Sequence, residues 1–210
     1  MKRKLKIVLA YFISIIPGNY FRCLLYRYIF NYKIDKSFIG WRTIIVVKEA
    51  TLYCCSIGGN NKFIGAMSIL IDKNAKIGPS NTFHCGWWIK DKKYIDAKYE
   101  ANLWIESDTY ITSNHYFDVV GLFKLGKKSW IAGNSSQFWT HGAGAYNRNI
   151  VIGENCYIGS AVRFAPGSSI ADNTLVGLGS VVTKTFQVEN IILAGQPAKI
   201  IRENYNWKSH

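Results

Sequence analysis

The chain has 210 residues, 49% of them hydrophobic, and a formal net charge of +13. That length holds one domain with a continuous core, or one domain with a small appendage. The charge points to nucleic acid, an anionic membrane or a polyphosphate ligand, and the absence of helix-turn-helix, zinc-finger and RNP signatures sets nucleic acid aside. The five cysteines (Cys23, Cys54, Cys55, Cys85 and Cys156) are odd in number and lack CxxC spacing. They predict a reduced, cytoplasmic compartment, with the thiols serving as core filler.

The first segment is basic and then apolar. Residues 1–42 hold nine Lys or Arg against one Asp. The apolar run from Ile7 to Ile16 imitates a signal peptide, but Pro17-Gly18 ends it without a small-x-small site. The run is also too short to span a bilayer. Beyond it, Phe21, Leu24, Leu25, Tyr28 and Ile29 recur at helical spacing, with Arg22 and Arg27 between them. Residues 1–45 therefore predict a basic, amphipathic, helical segment. Two roles are open to it: lying on the inner membrane surface against anionic lipid, or capping the end of a repeat domain.

A period near six residues then sets in over 46–195. Ile57, Ile64, Ile71 and Ile77 open blocks with phase slips, and Phe83, Ile89 and Ile95 keep the phase of Ile77. Ile105, Ile111 and Phe117 follow, then Leu125, Ile131 and Gln137-Phe138. From Ile152 to Gln187 six blocks run without a slip, opened by Ile152, Ile158, Phe164, Ile170, Val176 and Val182. So short a fixed period is the mark of a β-solenoid, in which the large residue fills the interior and small residues make the corners. The step from Gln137 to Ile152 is not a multiple of six. A Gly- and Asn-containing loop, 142–149, is therefore inserted directly after His141, and inserted loops on rigid scaffolds tend to carry function.

The tail, 196–210, closes the solenoid. Leu193-Ala194-Gly195-Gln196-Pro197-Ala198-Lys199-Ile200-Ile201-Arg202 and the upstream Val181-Val182-Thr183-Lys184 resemble the endings of hexapeptide-repeat acyltransferases. Gln196 stands where that family has Asn, and Thr185 where it has Asp. The resemblance implies an all-β fold, a left-handed parallel β-helix of triangular section with 18 residues per coil, preceded by a short helical segment. It implies a homotrimer with sites between subunits. It also implies transfer of an acetyl group from acetyl-CoA, as co-substrate and without a metal, to a sugar hydroxyl. A polysaccharide, lipopolysaccharide or capsule precursor is the expected acceptor.

Within that resemblance His141 matches the catalytic base, since it directly precedes the inserted loop. Ser160 matches the backbone oxyanion donor. Gly159, Ser160, Leu178, Thr183, Lys184, Pro197, Lys199 and Arg202 match positions that line the coenzyme channel. Asn114, His115 and Asp118 are acceptor-side candidates, and Asp118 alternatively orients His141. Trp139 is a further acceptor candidate because aromatic faces stack on sugar rings, although tryptophan more often packs. A binding or structural solenoid without chemistry competes with this reading, and two enzymatic alternatives stay open. One is a γ-class carbonic anhydrase-like metalloenzyme using His84, His115 and His141, for which the close His pair is missing. The other is an acyltransferase acting on an amine.

Overall fold

A computed structural model describes residues 3–209; His210 of the expected tail lies outside the described residues. Three parallel sheets of six, nine and seven strands form the faces of a prism, with successive strands moving to the next face. The last coils meet the first face only through bridges at Ile170 and Phe186, and the last strand pair, Ile192–Gly195 with Ala198–Arg202, is antiparallel. Each face stacks a continuous column of interior residues from coil to coil. On the first face these are Ile34, Leu52, Ile71, Ile105, Leu125, Ile152, Ile170 and Phe186, each paired with the next. On the third face a column of rings, Phe63, Phe83, Phe117, Phe138 and Phe164, has centroid spacings of 4.4, 4.4, 4.8 and 5.2 Å. The rings stack at nearly the distance between hydrogen-bonded strands, so packing and backbone pairing agree on one coil spacing. The residues that open the six regular blocks are all buried.

The corners are made by residues in the left-handed region. Between the second and third faces Arg42, Asn60, Ser80, Asn114 and Ala161 hold φ from 55° to 64°. Asn tolerates this conformation best after Gly, which explains its recurrence. The same corner carries a buried polar ladder. Asn61 N–H donates to Thr43 Oγ1, Asn81 N–H to Asn61 Oδ1, and His115 N–H to Asn81 Oδ1. Ser136 N–H donates to His115 Nδ1, and Val162 N–H to Ser136 Oγ.

The helical segment is two helices, α1 (Arg3–Ser14) and α2 (Asn19–Phe30), separated by Pro17-Gly18. Asn31, left-handed at φ 58°, ends α2 by donating its N–H to the Tyr26 carbonyl. The first strand begins at Lys33, so the boundary expected at 45/46 moves back by a full coil. The helices are seated on that coil and satisfy its open backbone. Ile45 N–H donates to the Tyr26 hydroxyl and Val47 N–H to that of Tyr32. Ile39 N–H donates to Asn19 Oδ1, and the buried Arg22 donates Nε–H to the Ile39 carbonyl. These side chains stand in for a preceding coil.

The expectation of regular coils through Ile89 and Ile95 is corrected. Residues 86–101 leave the solenoid as a second insertion with two 3₁₀ helices, Trp87–Lys90 and Lys92–Ala97. The spacing of six between Phe83, Ile89 and Ile95 is coincidental, because strand Thr82–Cys85 resumes only at Asn102–Ile105.

Candidate active site

Both insertions leave the same corner, between the third and first faces, two coils apart. The coil between them ends at Asp118. Register places Asp118 directly beside Trp139, one coil on. The next two residues, Thr140 and His141, turn back over the Asp118 carboxylate.

His141 Nδ1 lies 2.8 Å from Asp118 Oδ2. The same oxygen accepts the Thr140 N–H at 3.0 Å, and Thr140 Oγ1 is 2.9 Å away. Thr140 Oγ1 in turn accepts the Gly121 N–H. Asp118 is 2% exposed and the His141 side chain 41%. A buried carboxylate in this position requires the proton on Nδ1 and leaves the Nε2 lone pair for a reactant. The geometry is that of a base held in one tautomer and one orientation.

Aromatic groups surround this corner. The Trp88 ring lies 5.9 Å from the His141 ring, and Tyr94 and Tyr99 pack on Trp88 at 4.9 and 5.3 Å. The two insertions brace each other. The Arg148 guanidinium lies 4.6 Å over the Tyr99 ring and donates to the Ala97 carbonyl. Trp139 is on the outer surface, 37% exposed, its ring 4.9 Å from that of Tyr116. Burial and the charge of Asp118 raise the Tyr116 pKa. The place of Trp88 beside His141 depends on an insertion that the coincidental period conceals.

Asn114 and His115 do not join this cluster within one chain. They lie at the other corner, between the second and third faces. Asn114 is a turn residue at φ 58°. His115 is 2% exposed and belongs to the polar ladder. Because its Nδ1 accepts the Ser136 N–H, its proton is on Nε2, 2.9 Å from Thr112 Oγ1. Burial pushes its pKa down to about 4, so it is a neutral structural imidazole.

Gly159, Ser160 and Leu178 also lie between the second and third faces, with Leu178 82% exposed. Ser160 fits tightly against Gly133, where a Cβ would meet Ser160 Oγ at 1.6 Å. The terminal hairpin brings Pro197 to this corner, because Gln196 Nε2 donates to the Gly179 carbonyl at 2.7 Å. Lys199 and Arg202 follow on the returning strand, with the Arg202 guanidinium 4.9 Å over the Tyr205 ring. Thr183 and Lys184 are on the corner of His141 instead, after strand Val181–Val182. Within one chain, then, His141 and Ser160 occupy different edges of the prism. Among the described residues no three His, Cys, Asp or Glu side chains form a group able to hold a metal ion.

No family model matches the chain. The protein WcaF of Escherichia coli K12, assigned as a colanic acid biosynthesis acetyltransferase, is 31% identical over 137 residues, 63% of this chain and 68% of that protein. The chain belongs to the hexapeptide-repeat acetyltransferases. Galactoside O-acetyltransferase of Escherichia coli K12, another acetyltransferase, is 47% identical over 58 residues, a match spanning 28% of each chain. The crystal structure of the polysialic acid O-acetyltransferase OatWY superposes with a TM-score of 0.63 at 19% identity, covering 84% of this chain and 86% of that one. The fold is therefore the left-handed parallel β-helix of the hexapeptide-repeat acetyltransferases, with a short helical segment before it.

Proposed function

We propose that this protein transfers an acetyl group from acetyl-CoA to a hydroxyl of a sugar in a polysaccharide, lipopolysaccharide or capsule precursor. One observation carries the reading: His141, held through Nδ1 by the buried Asp118, presents Nε2 at a corner framed by two inserted loops. Nε2 takes the hydroxyl proton as the oxygen attacks the thioester carbonyl. The charge on Asp118 favours the imidazolium that forms. The proton then passes to the departing coenzyme A thiolate. The names of the relatives, a galactoside enzyme and one assigned to colanic acid biosynthesis, support a sugar as acceptor.

The collapsing tetrahedral oxyanion needs a donor, and the Ser160 N–H is the candidate. Ser160 and His141 lie on different edges, so this role requires Ser160 of a second copy. A closed cyclic trimer, in which one edge faces the next copy's edge, completes three equivalent sites. Gly159, Leu178 and Pro197 would then line the coenzyme on one side of the seam. Thr183 and Lys184 line it on the other, while Lys199 and Arg202 neutralise its phosphates. Trp88 and Trp139 offer flat apolar surfaces for the acceptor ring.

The test is coenzyme A release from acetyl-CoA against a panel of glycans and nucleotide sugars, comparing wild type with His141→Ala. Acceptor-dependent release that disappears in the variant supports the reading. Release that is indifferent to every acceptor, or equal in the variant, sinks it.

A further inference from the structure

The helices that close the solenoid have a second face. α1 buries Ala10, Ile13 and Ser14 against the first coil. On its opposite side Leu5, Ile7, Val8, Tyr11, Phe12 and Ile15 are 38–57% exposed. From Leu5 onward the one charged residue of α1 is Lys6, which is half-buried and lies toward the side of Ala10 and Ile13. A helix on a water-facing surface ordinarily turns polar residues outward; this one is apolar on both sides. α2 extends the patch with Tyr20 and Phe21, 70% and 55% exposed. Aromatic residues of this kind are enriched where a protein meets the headgroup layer of a bilayer.

The surrounding charge selects the occupant. Arg3 and Lys4 are exposed at the start of α1, and Lys33, Lys36 and Arg42 are exposed on the rim of the first coil. Acidic groups at this end are few, Asp35 on the rim and Glu49, which pairs with Lys48. An apolar centre with a basic rim matches an anionic bilayer surface. A second copy of the same end would set one basic rim against another. No helix of the described residues is long and apolar enough to cross a membrane, so the helices lie in the interface rather than through it.

We propose that the α1–α2 surface docks on an anionic lipid bilayer with the prism standing on its N-terminal end. The proposal does not depend on acetyl transfer. If the trimer of the preceding reading forms, all three patches face one plane, and binding gains from multivalency. The strand before His141 is fifth from that end on its face. At about 4.8 Å per coil, plus about 10 Å of helix, the corner stands roughly 30 Å above the headgroups. A lipid-linked acceptor would have to reach that height.

The experiment is sedimentation of the full chain with phosphatidylglycerol–phosphatidylcholine vesicles and with phosphatidylcholine alone. Wild type should pellet with the anionic vesicles. Val8→Glu/Phe12→Glu should reduce partitioning about tenfold or more, and Phe21→Glu on the other helix should act in the same direction. Arg3→Gln/Lys4→Gln should reduce it about 30-fold at low salt. All these positions are exposed, so melting temperatures should hold. Wild type remaining in solution overturns the proposal, as does equal binding by the folded variants. So does a change in oligomer mass on substituting Val8 and Phe12 without a change in vesicle binding, which would show a second copy covering the patch.

Discussion

His141 and Asp118 are 23 residues apart in sequence and one coil apart in space, joined by a 2.8 Å contact between Nδ1 and Oδ2. Parallel register fixes that meeting, since Asp118 pairs with Trp139, two residues before His141. His141→Ala is expected to lower turnover by about 10²–10⁴-fold, the usual contribution of a placed base. Coenzyme affinity and melting temperature should stay near wild type. Steady-state kinetics with calorimetric binding checks this, and an active variant excludes His141 as the base.

Asp118→Asn tests orientation separately from presence. The amide keeps the shape but presents either a neutral acceptor or an N–H toward Nδ1. Turnover should fall about 10²-fold or more, with the Michaelis constant for acetyl-CoA nearly unchanged. A drop in thermal stability without a drop in turnover would make Asp118 a packing residue held by Thr140.

Coenzyme contacts should have a different signature. Lys184→Ala and Arg202→Ala are expected to raise the Michaelis constant for acetyl-CoA about tenfold with little change in turnover, because phosphate contacts bind ground and transition states alike. An unchanged constant in both variants removes them from the channel.

The trimer reading makes a prediction about mixtures. His141→Ala lacks the base, while Ser160→Pro lacks the N–H on the other edge. Each variant alone should be inactive. Co-assembled at equal amounts, roughly a quarter of the seams would join an intact His141 to an intact Ser160, since each seam draws one edge from each copy. Activity of the mixture no greater than that of either variant, with the oligomer intact, rules out a site shared between copies.

His115 bears on stability. Its folded pKa, about 4, is below the unfolded value of 6.5. The unfolded chain therefore takes up a proton that the native chain refuses. The contribution is complete above pH 6.5 and is lost as pH falls toward 4, by about 3 kcal/mol over that window. His115→Asn should flatten this pH dependence and stay folded, because Asn81 already fills the equivalent place one coil earlier. His115→Ala should destabilise by about 2–4 kcal/mol through a cavity and an unpaired Ser136 N–H. Urea melts across pH 4–7 give both quantities.

The sequence shows most clearly the coils from Ile152 to Gln187, where every sixth residue enters the core. It shows the first coils poorly. Ile34, Ile39, Ile45, Leu52 and Ile57 are interior residues at uneven spacing, so the corner lengths vary and the period is lost. His141 stands out because the phase breaks immediately after it. The part played by His115 is invisible locally: its ladder partners Asn81 and Ser136 are 34 and 21 residues away. Trp88 is hidden for the opposite reason, a false period that runs through an insertion.

The hydroxyls of Tyr26 and Tyr32, with Asn19 and Arg22, occupy hydrogen-bonding groups that another coil would otherwise use. A chain beginning at Lys33 would present those groups bare, in the spacing of a strand edge. The opposite end of a second such chain has its own hairpin, strand Ala198–Arg202, laid along the second face only. Head-to-tail stacking of truncated chains would then need little rearrangement, and filament growth would compete with folding to a discrete particle. The helices thus fix where the solenoid stops.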